Sequence, residues 1–197
     1  MSITAVVGAT WGDEGKGKIT YALAASADVV MRFQGGRNAG HTIINDCGRF
    51  ALHLLPSGVF TPGTINLLGP GVAVYLSALF SELDELAAIG VPTPDVRVAQ
   101  RAQIVCPVDV LHDVYEEQRL GAERAFGSTR AGIAPFYADK YMKVGVQVGD
   151  LFDVAWVPER VTRCLAARNV LFRSFYQQPE ADVDAIVDAL IAYADRL

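Results

Sequence analysis

The feature that most constrains this chain lies near its amino terminus. An apolar run over residues 3–7 stops at Gly8, and a glycine-rich turn follows from Gly12 to Lys18. Residues 19–27 then read as a helix and residues 28–33 as a second apolar strand, closed by Gly35 and Gly36. Strand, glycine loop, helix and strand in that order form the βαβ unit of a parallel sheet. The expected fold class is therefore α/β. It has a mostly parallel central sheet flanked by helices, phosphate-loop-NTPase-like, with an irregular loop-rich insert and a helical carboxyl-terminal segment.

The rest of the chain extends this pattern. Residues 50–55, 64–68 and 96–99 read as strands. Leu76, Leu79, Phe80, Leu83 and Leu86 recur at helical spacing before Gly90. Val110, Leu111, Val114, Tyr115 and Gln118 suggest a helix ended by Gly121. Residues 127–144 lack periodicity and read as a long loop, and loops of that length are usually functional or disordered. Pro158 suits the first turn of a helix running to about residue 175. The last segment carries Val183, Ile186, Val187, Leu190, Ile191 and Leu197 on one face and needs something to pack on. With 197 residues the expectation is one domain: a sheet core with nucleotide loops over 1–100 and a helical and loop segment over 101–197.

Charge and cysteine usage narrow the function. A net charge of −5 gives no bulk attraction for nucleic acid. No apolar run reaches the ~20 residues of a membrane span, and a cytoplasmic location is expected. The three cysteines, Cys47, Cys106 and Cys164, are too scattered for a disulfide framework or a zinc motif.

Three loops carry candidate chemistry. Gly12, Gly17 and Lys18 satisfy G-x-x-x-x-G-K, but Ile19 stands where a Ser or Thr would hold magnesium, so this is not a standard Walker loop. Its backbone N–H groups, Lys16 and Lys18 suit phosphate. Asp13 and Glu14 inside it are unusual, since a carboxylate beside phosphate is repulsive unless it binds metal or takes a proton. The second loop runs from Gln34 through Gly35, Gly36, Arg37, Asn38, Ala39, Gly40 and His41 to Thr42. It follows a strand and is expected at the carboxyl edge of the sheet, where ligands bind in open α/β folds. Asn38 can read a base edge, and His41 can act as an acid or contact phosphate. The third loop, with Gly127, Ser128, Thr129, Arg130 and Gly132, is a reasonable anion cradle. Read alone, each loop also fits an ordinary polar turn.

Together these segments resemble the adenylosuccinate synthetase family. The resemblance rests on the run from Trp11 to Lys18, the run from Gln34 to Thr42, and His53-Leu54-Leu55-Pro56-Ser57-Gly58. Gly127-Ser128-Thr129, Gly132-Ile133-Ala134-Pro135 and the run from Val148 to Asp153 continue it in order. The resemblance implies a ligase joining L-aspartate to inosine monophosphate (IMP) with GTP and Mg2+. It implies Asp13 as base and magnesium ligand, His41 as acid, Lys16 as phosphoryl contact and Gln34 as support for Asp13. Gly40 would offer its carbonyl to magnesium. Gly12, Glu14, Gly15, Lys16, Gly17, Lys18, Gly40, His41 and Thr42 would line the GTP phosphate site. Gly12, Asp13, Asn38, Ser128 and Thr129 would hold IMP, completed across a homodimer by Lys143 of the neighbouring copy. Lys143 stands where the family carries an arginine, which loses the bidentate fork. No [NT]-K-x-D guanine motif occurs in the chain, so GTP against ATP and the choice of purine rest on the resemblance alone. A nucleotide-binding homologue without activity and a different phosphate-loop NTPase are the alternatives from other classes.

Overall fold

The computed structural model describes residues 2–10, 12, 14–38 and 40–197. The expected buried strand over 3–7 does not form: Ile3 is 93% and Val7 75% exposed. The segment pairs with no described strand, and all of its residues but the half-buried Val6 are exposed. Helix α1 (Lys16–Ala24) begins three residues earlier than expected. Gly15, in the left-handed region at φ +77°, already turns the chain onto the helix axis there.

Strand β1 (Val29–Gly35) includes Gln34 and Gly35, both expected in a loop. A hairpin of β2 (His41–Asn45) and β3 (Gly48–Leu52) follows, so His41 and Thr42 are strand rather than loop residues. Beyond Leu52 the expected strand yields to a bend, Pro56 and a 3₁₀ turn, Ser57–Phe60. Strand β4 (Ile65–Val74) runs six residues past the expected end and through Pro70. It tolerates the proline because its pairing with β1 slips there, Arg32 facing Leu68 and Gln34 facing Gly71. Helix α2 (Leu76–Ala88) and β5 (Asp95–Val98) come close to expectation, and β6 (Gln103–Ile104) is a two-residue addition.

All four sheet strands are parallel. β4 lies between β1 and β5 over its first half and pairs with β6 at Ala73 and Val74. Leu68, Val72, Ala73 and Val74 of β4 are wholly buried; Leu68, Val72 and Val74 anchor a core with Leu54, Leu55, Leu79, Ile104, Val108 and Leu165, and Ala73 packs with Val105 and Phe136. The α/β class with a parallel sheet flanked by helices is the observed fold.

The second half is more helical than expected. α3 (Pro107–Arg124) continues to Arg124 with a break at Gly121 (φ +69°, ψ 174°). Its fully buried positions are Val108, Asp109, Asp113 and Glu117, while Val110, Leu111 and Tyr115, among those read from periodicity, pack half-buried against the core clusters. The expected long loop over 127–144 contains α4 (Ile133–Met142), which buries only Phe136 and Asp139 and so leaves little periodic signal. α5 (Val157–Leu171) ends in a wider turn at Phe172–Tyr176. α6 (Val183–Ile191) is capped by Asp182, whose carboxylate accepts from the N–H groups of Asp184 and Ala185. Its apolar face finds its cover within the chain, with Ile186, Val187 and Leu190 buried in the core beside α5. No helix among the described residues is long and apolar enough to cross a membrane.

Candidate functional site

The loop leaving β1 is fixed by one guanidinium. Arg32 Nη1 donates to the carbonyls of His53 (2.6 Å) and Leu54 (3.1 Å), and Nη2 to that of Gly36 (2.7 Å). Glu82, buried on α2, accepts the N–H groups of His53 and Leu54 at 2.8 Å and of Leu55 at 2.9 Å. Three converging N–H donors satisfy a carboxylate that burial would otherwise penalise. The segment after β3 is thereby held beside the loop after β1. Sequence reasoning singled out neither Arg32 nor Glu82, because a strand arginine and a helix glutamate look like surface residues.

Helix α4 brings the third loop to the same place. Tyr137 Oη accepts the N–H of Gly35 (3.1 Å) and donates to the carbonyl of Gly71 (2.9 Å). A methyl built on Gly36 would lie 2.8 Å from Ile133 Cδ1, so the α4 start presses on the glycine loop. The result is a cleft of about 1150 Å³ at the carboxyl edge of the sheet. Arg37, Asn38, Gly40, His53, Thr129 and Ala131 are among the residues that line it. Arg37 lies 4.1 Å over the Tyr75 ring, a cation–π contact that holds its charge at the cleft wall. It sits within the second motif, which was the available signal for it.

Other expected residues lie beside the cleft rather than in its lining. Ser128 Oγ accepts the N–H of Arg130 at 3.1 Å, which turns that hydroxyl into its own loop. Asp13 and Ala39 fall outside the described residues. Lys143 lines a separate pocket with Lys140, Arg160 and Gln103. Gln34 is exposed, near the end of β1.

The first glycine loop leads into α1, which packs closely on the hairpin at Gly17. A methyl built on Gly17 would stand 2.7 Å from His41 Cβ, so only glycine lets the first turn of α1 touch β2 this closely. His41 is half-buried. Burial first, then the charges of Arg32, Lys16 and His53, lowers its pKa from the ordinary value. In the loop Glu14 pairs with Lys16 and accepts from the Thr10 N–H (2.9 Å) and hydroxyl (2.8 Å). Those bonds, the Lys16 one foremost, hold its carboxyl down at about 2. Lys16 is therefore held in the loop by Glu14.

A parallel sheet with a cleft at its carboxyl edge, walled by glycine loops, places the chain among open α/β ligand-binding proteins. Comparison narrows the class. The family model described as adenylosuccinate synthetase matches residues 5–197, and the chain belongs to that family. An adenylosuccinate synthetase of Moorella thermoacetica is 45% identical over 197 residues, covering all of this chain and 46% of the relative. The fully ligated adenylosuccinate synthetase from Plasmodium falciparum matches with a TM-score of 0.83 at 30% identity, over 96% of this chain and 44% of that one. The cyanophage S-2L succinoaminodeoxyadenylate synthetase, bound to dGMP and dATP, matches at 0.54 and 26%, over 71% and 39%. This chain spans less than half the length of these relatives.

Proposed function

We propose that this chain is a single domain carrying the purine-activating part of an adenylosuccinate synthetase, acting on IMP, GTP and L-aspartate in AMP synthesis in the cytoplasm. The observation that carries the reading is the meeting of Asn38, Gly40 and Thr129, from distant motifs, around one cleft. In this reading Asn38 and Gly12 hold the purine, and Ser128 and Thr129 hold its 5′-phosphate. Lys143, in its separate pocket, serves the neighbouring copy of a homodimer.

The chemistry follows from the residue types. The 6-oxo oxygen of IMP is a poor leaving group and a weak nucleophile. Removal of the N1 proton by Asp13, supported by Gln34, puts charge on that oxygen, which attacks the γ-phosphorus of GTP as GDP leaves. His41 donates an N–H to the transferring phosphoryl group. With its lowered pKa it does so as a neutral ring until phosphate charge opposes that of Arg32 and Lys16. Lys16 transfers its ion pair from Glu14 to the phosphates, backed by Lys18, Thr42 and the N–H groups around Gly15 and Gly17. The aspartate amine then displaces phosphate at C6.

Hard oxygen donors suit Mg2+, and the chain offers the Asp13 carboxylate and the Gly40 carbonyl. Among the described residues, a methyl built on Gly40 meets the His53 ring, at 3.4 Å, so a side chain there would crowd the cleft wall. When bound, Mg2+ would neutralise charge on the triphosphate oxygens.

Calorimetry on the purified chain tests the reading. IMP is expected to bind saturably, with Asn38→Ala and Thr129→Ala weakening it, and phosphate release is expected only with GTP, Mg2+, IMP and aspartate together. Folded protein that binds neither IMP nor GTP overturns the reading. Parallel titrations with dGMP and dATP, the ligands of the cyanophage neighbour, separate a variant purine specificity.

A further inference from the structure

Helix α3 buries three carboxylates on one face, Asp109, Asp113 and Glu117, each four residues from the next. Asp109 starts the helix, its Oδ2 accepting the N–H of Cys106 at 2.9 Å. The other two do nothing for their own helix. Asp113 Oδ2 accepts the N–H of Gly132 at 3.0 Å, and Glu117 Oε1 accepts the N–H of Phe126 at 3.0 Å. These two amides bracket the loop that carries Ser128 and Thr129.

The spacing sets the loop's shape. Residues four apart on a helix sit about 6 Å apart along its axis. The six peptide steps from Phe126 to Gly132 could reach about 20 Å when extended. Pinned at two points one helical turn apart, the loop must arch away from α3, and Thr129 on the arch lines the cleft. Gly132 closes the arch against the helix. It has φ +71°, and a methyl there would lie 2.8 Å from the Asp109 carbonyl carbon and the Val110 nitrogen.

We propose that Asp113 and Glu117 are positioning residues that hold the arch over residues 126–132 as a preformed cradle for the monophosphate of the bound nucleotide. This rests on the reading that Ser128 and Thr129 meet that phosphate. Two buried anions beneath an anion site oppose the ligand by charge, so their contribution is the acceptor oxygen. A carboxylate suits the task because, once ionised, it has no N–H or O–H to offer the loop's carbonyls.

The test compares IMP with inosine, which lacks the phosphate, by calorimetry on the full chain. Asp113→Ala and Glu117→Ala are expected to weaken IMP by about tenfold, in keeping with one lost hydrogen bond to a charged group, and to leave inosine unchanged. Asp113→Asn and Glu117→Gln keep an acceptor oxygen and lose the repulsion, and are expected to bind IMP at least as tightly as the parent. A purely structural role would lower the melting temperature and weaken IMP and inosine together, which overturns the proposal. So does equal IMP affinity in parent and alanine variants, or loss of IMP binding in the folded Asn and Gln variants. A parent chain that binds no IMP overturns the underlying reading, and this inference with it.

Discussion

Arg32 and Glu82 grip the same short stretch of backbone from opposite chemical sides. The guanidinium takes the carbonyls of His53 and Leu54, and the carboxylate takes the N–H groups of His53, Leu54 and Leu55. Neither needs a side-chain partner in that stretch, so the motif's residue identities stay free for the cleft.

Glu82→Ala strips the acceptor from three N–H groups, two of the three bonds being fully buried. Each buried orphan costs roughly 1–3 kcal/mol, so a loss of about 3 kcal/mol or more in urea unfolding is expected. Glu82→Gln keeps one acceptor oxygen and should cost distinctly less. Equal stability of parent and alanine variant would refute the clamp.

Gly17→Ala drives a methyl into His41 Cβ. Overpacking of this kind costs about 1–3 kcal/mol, and the contact can relax only by moving α1 from the hairpin. The expected result is a lower melting temperature together with a shifted His41 imidazole resonance. Ile19→Ala, on the exposed side of the same helix, should leave that resonance in place.

Asp109 gives a pH dependence whose sign is fixed by its surroundings. Burial lifts its carboxyl to about 7 against the compensating charge of Arg168. Arg168 Nη2 lies 3.9 Å from Asp109 but 2.7 Å from Asp139, so Asp139 takes the better contact. A carboxyl with a raised folded pKa stabilises the fold at low pH, and that stability is lost as pH climbs from about 4 to about 7. His112 beside it works the other way: burial and Arg168 lower its pKa to about 4, adding stability as pH rises towards the ordinary histidine value. Asp109→Asn removes only the first effect. Its stability relative to the parent should therefore be greater at pH 8 than at pH 5, read from urea midpoints at both. A difference that is flat with pH would show that Asp109 ionises normally.

The glycine motifs were legible because each places small residues where loops approach closely, and the cleft around Asn38, Gly40 and Thr129 forms between them. The strand over 3–7 does not form because an apolar run records only that a segment could sit in a sheet, while a ladder also needs a partner strand, and the segment pairs with none of the described ones. α4 was hidden because a helix burying just Phe136 and Asp139 carries almost no periodic stripe. The Asp109, Asp113 and Glu117 face of α3 inverts the usual rule that charges point to water. Acidic residues repeated four apart were the visible signal, and it is the same signal a solvated helix face gives.

Strand β4 keeps β1 on one side as far as Val72 and exchanges β5 for β6 along its length, and its residues from Val72 to Val74 are sealed from water. The chain leading into α3 runs on from β6, while the glycine loop of Asn38 leaves β1, so both cleft walls hang from one strand. Their opening is then a single cooperative event. Amides on β4 should be the last to exchange with deuterium, and a fault introduced on either wall should loosen the other.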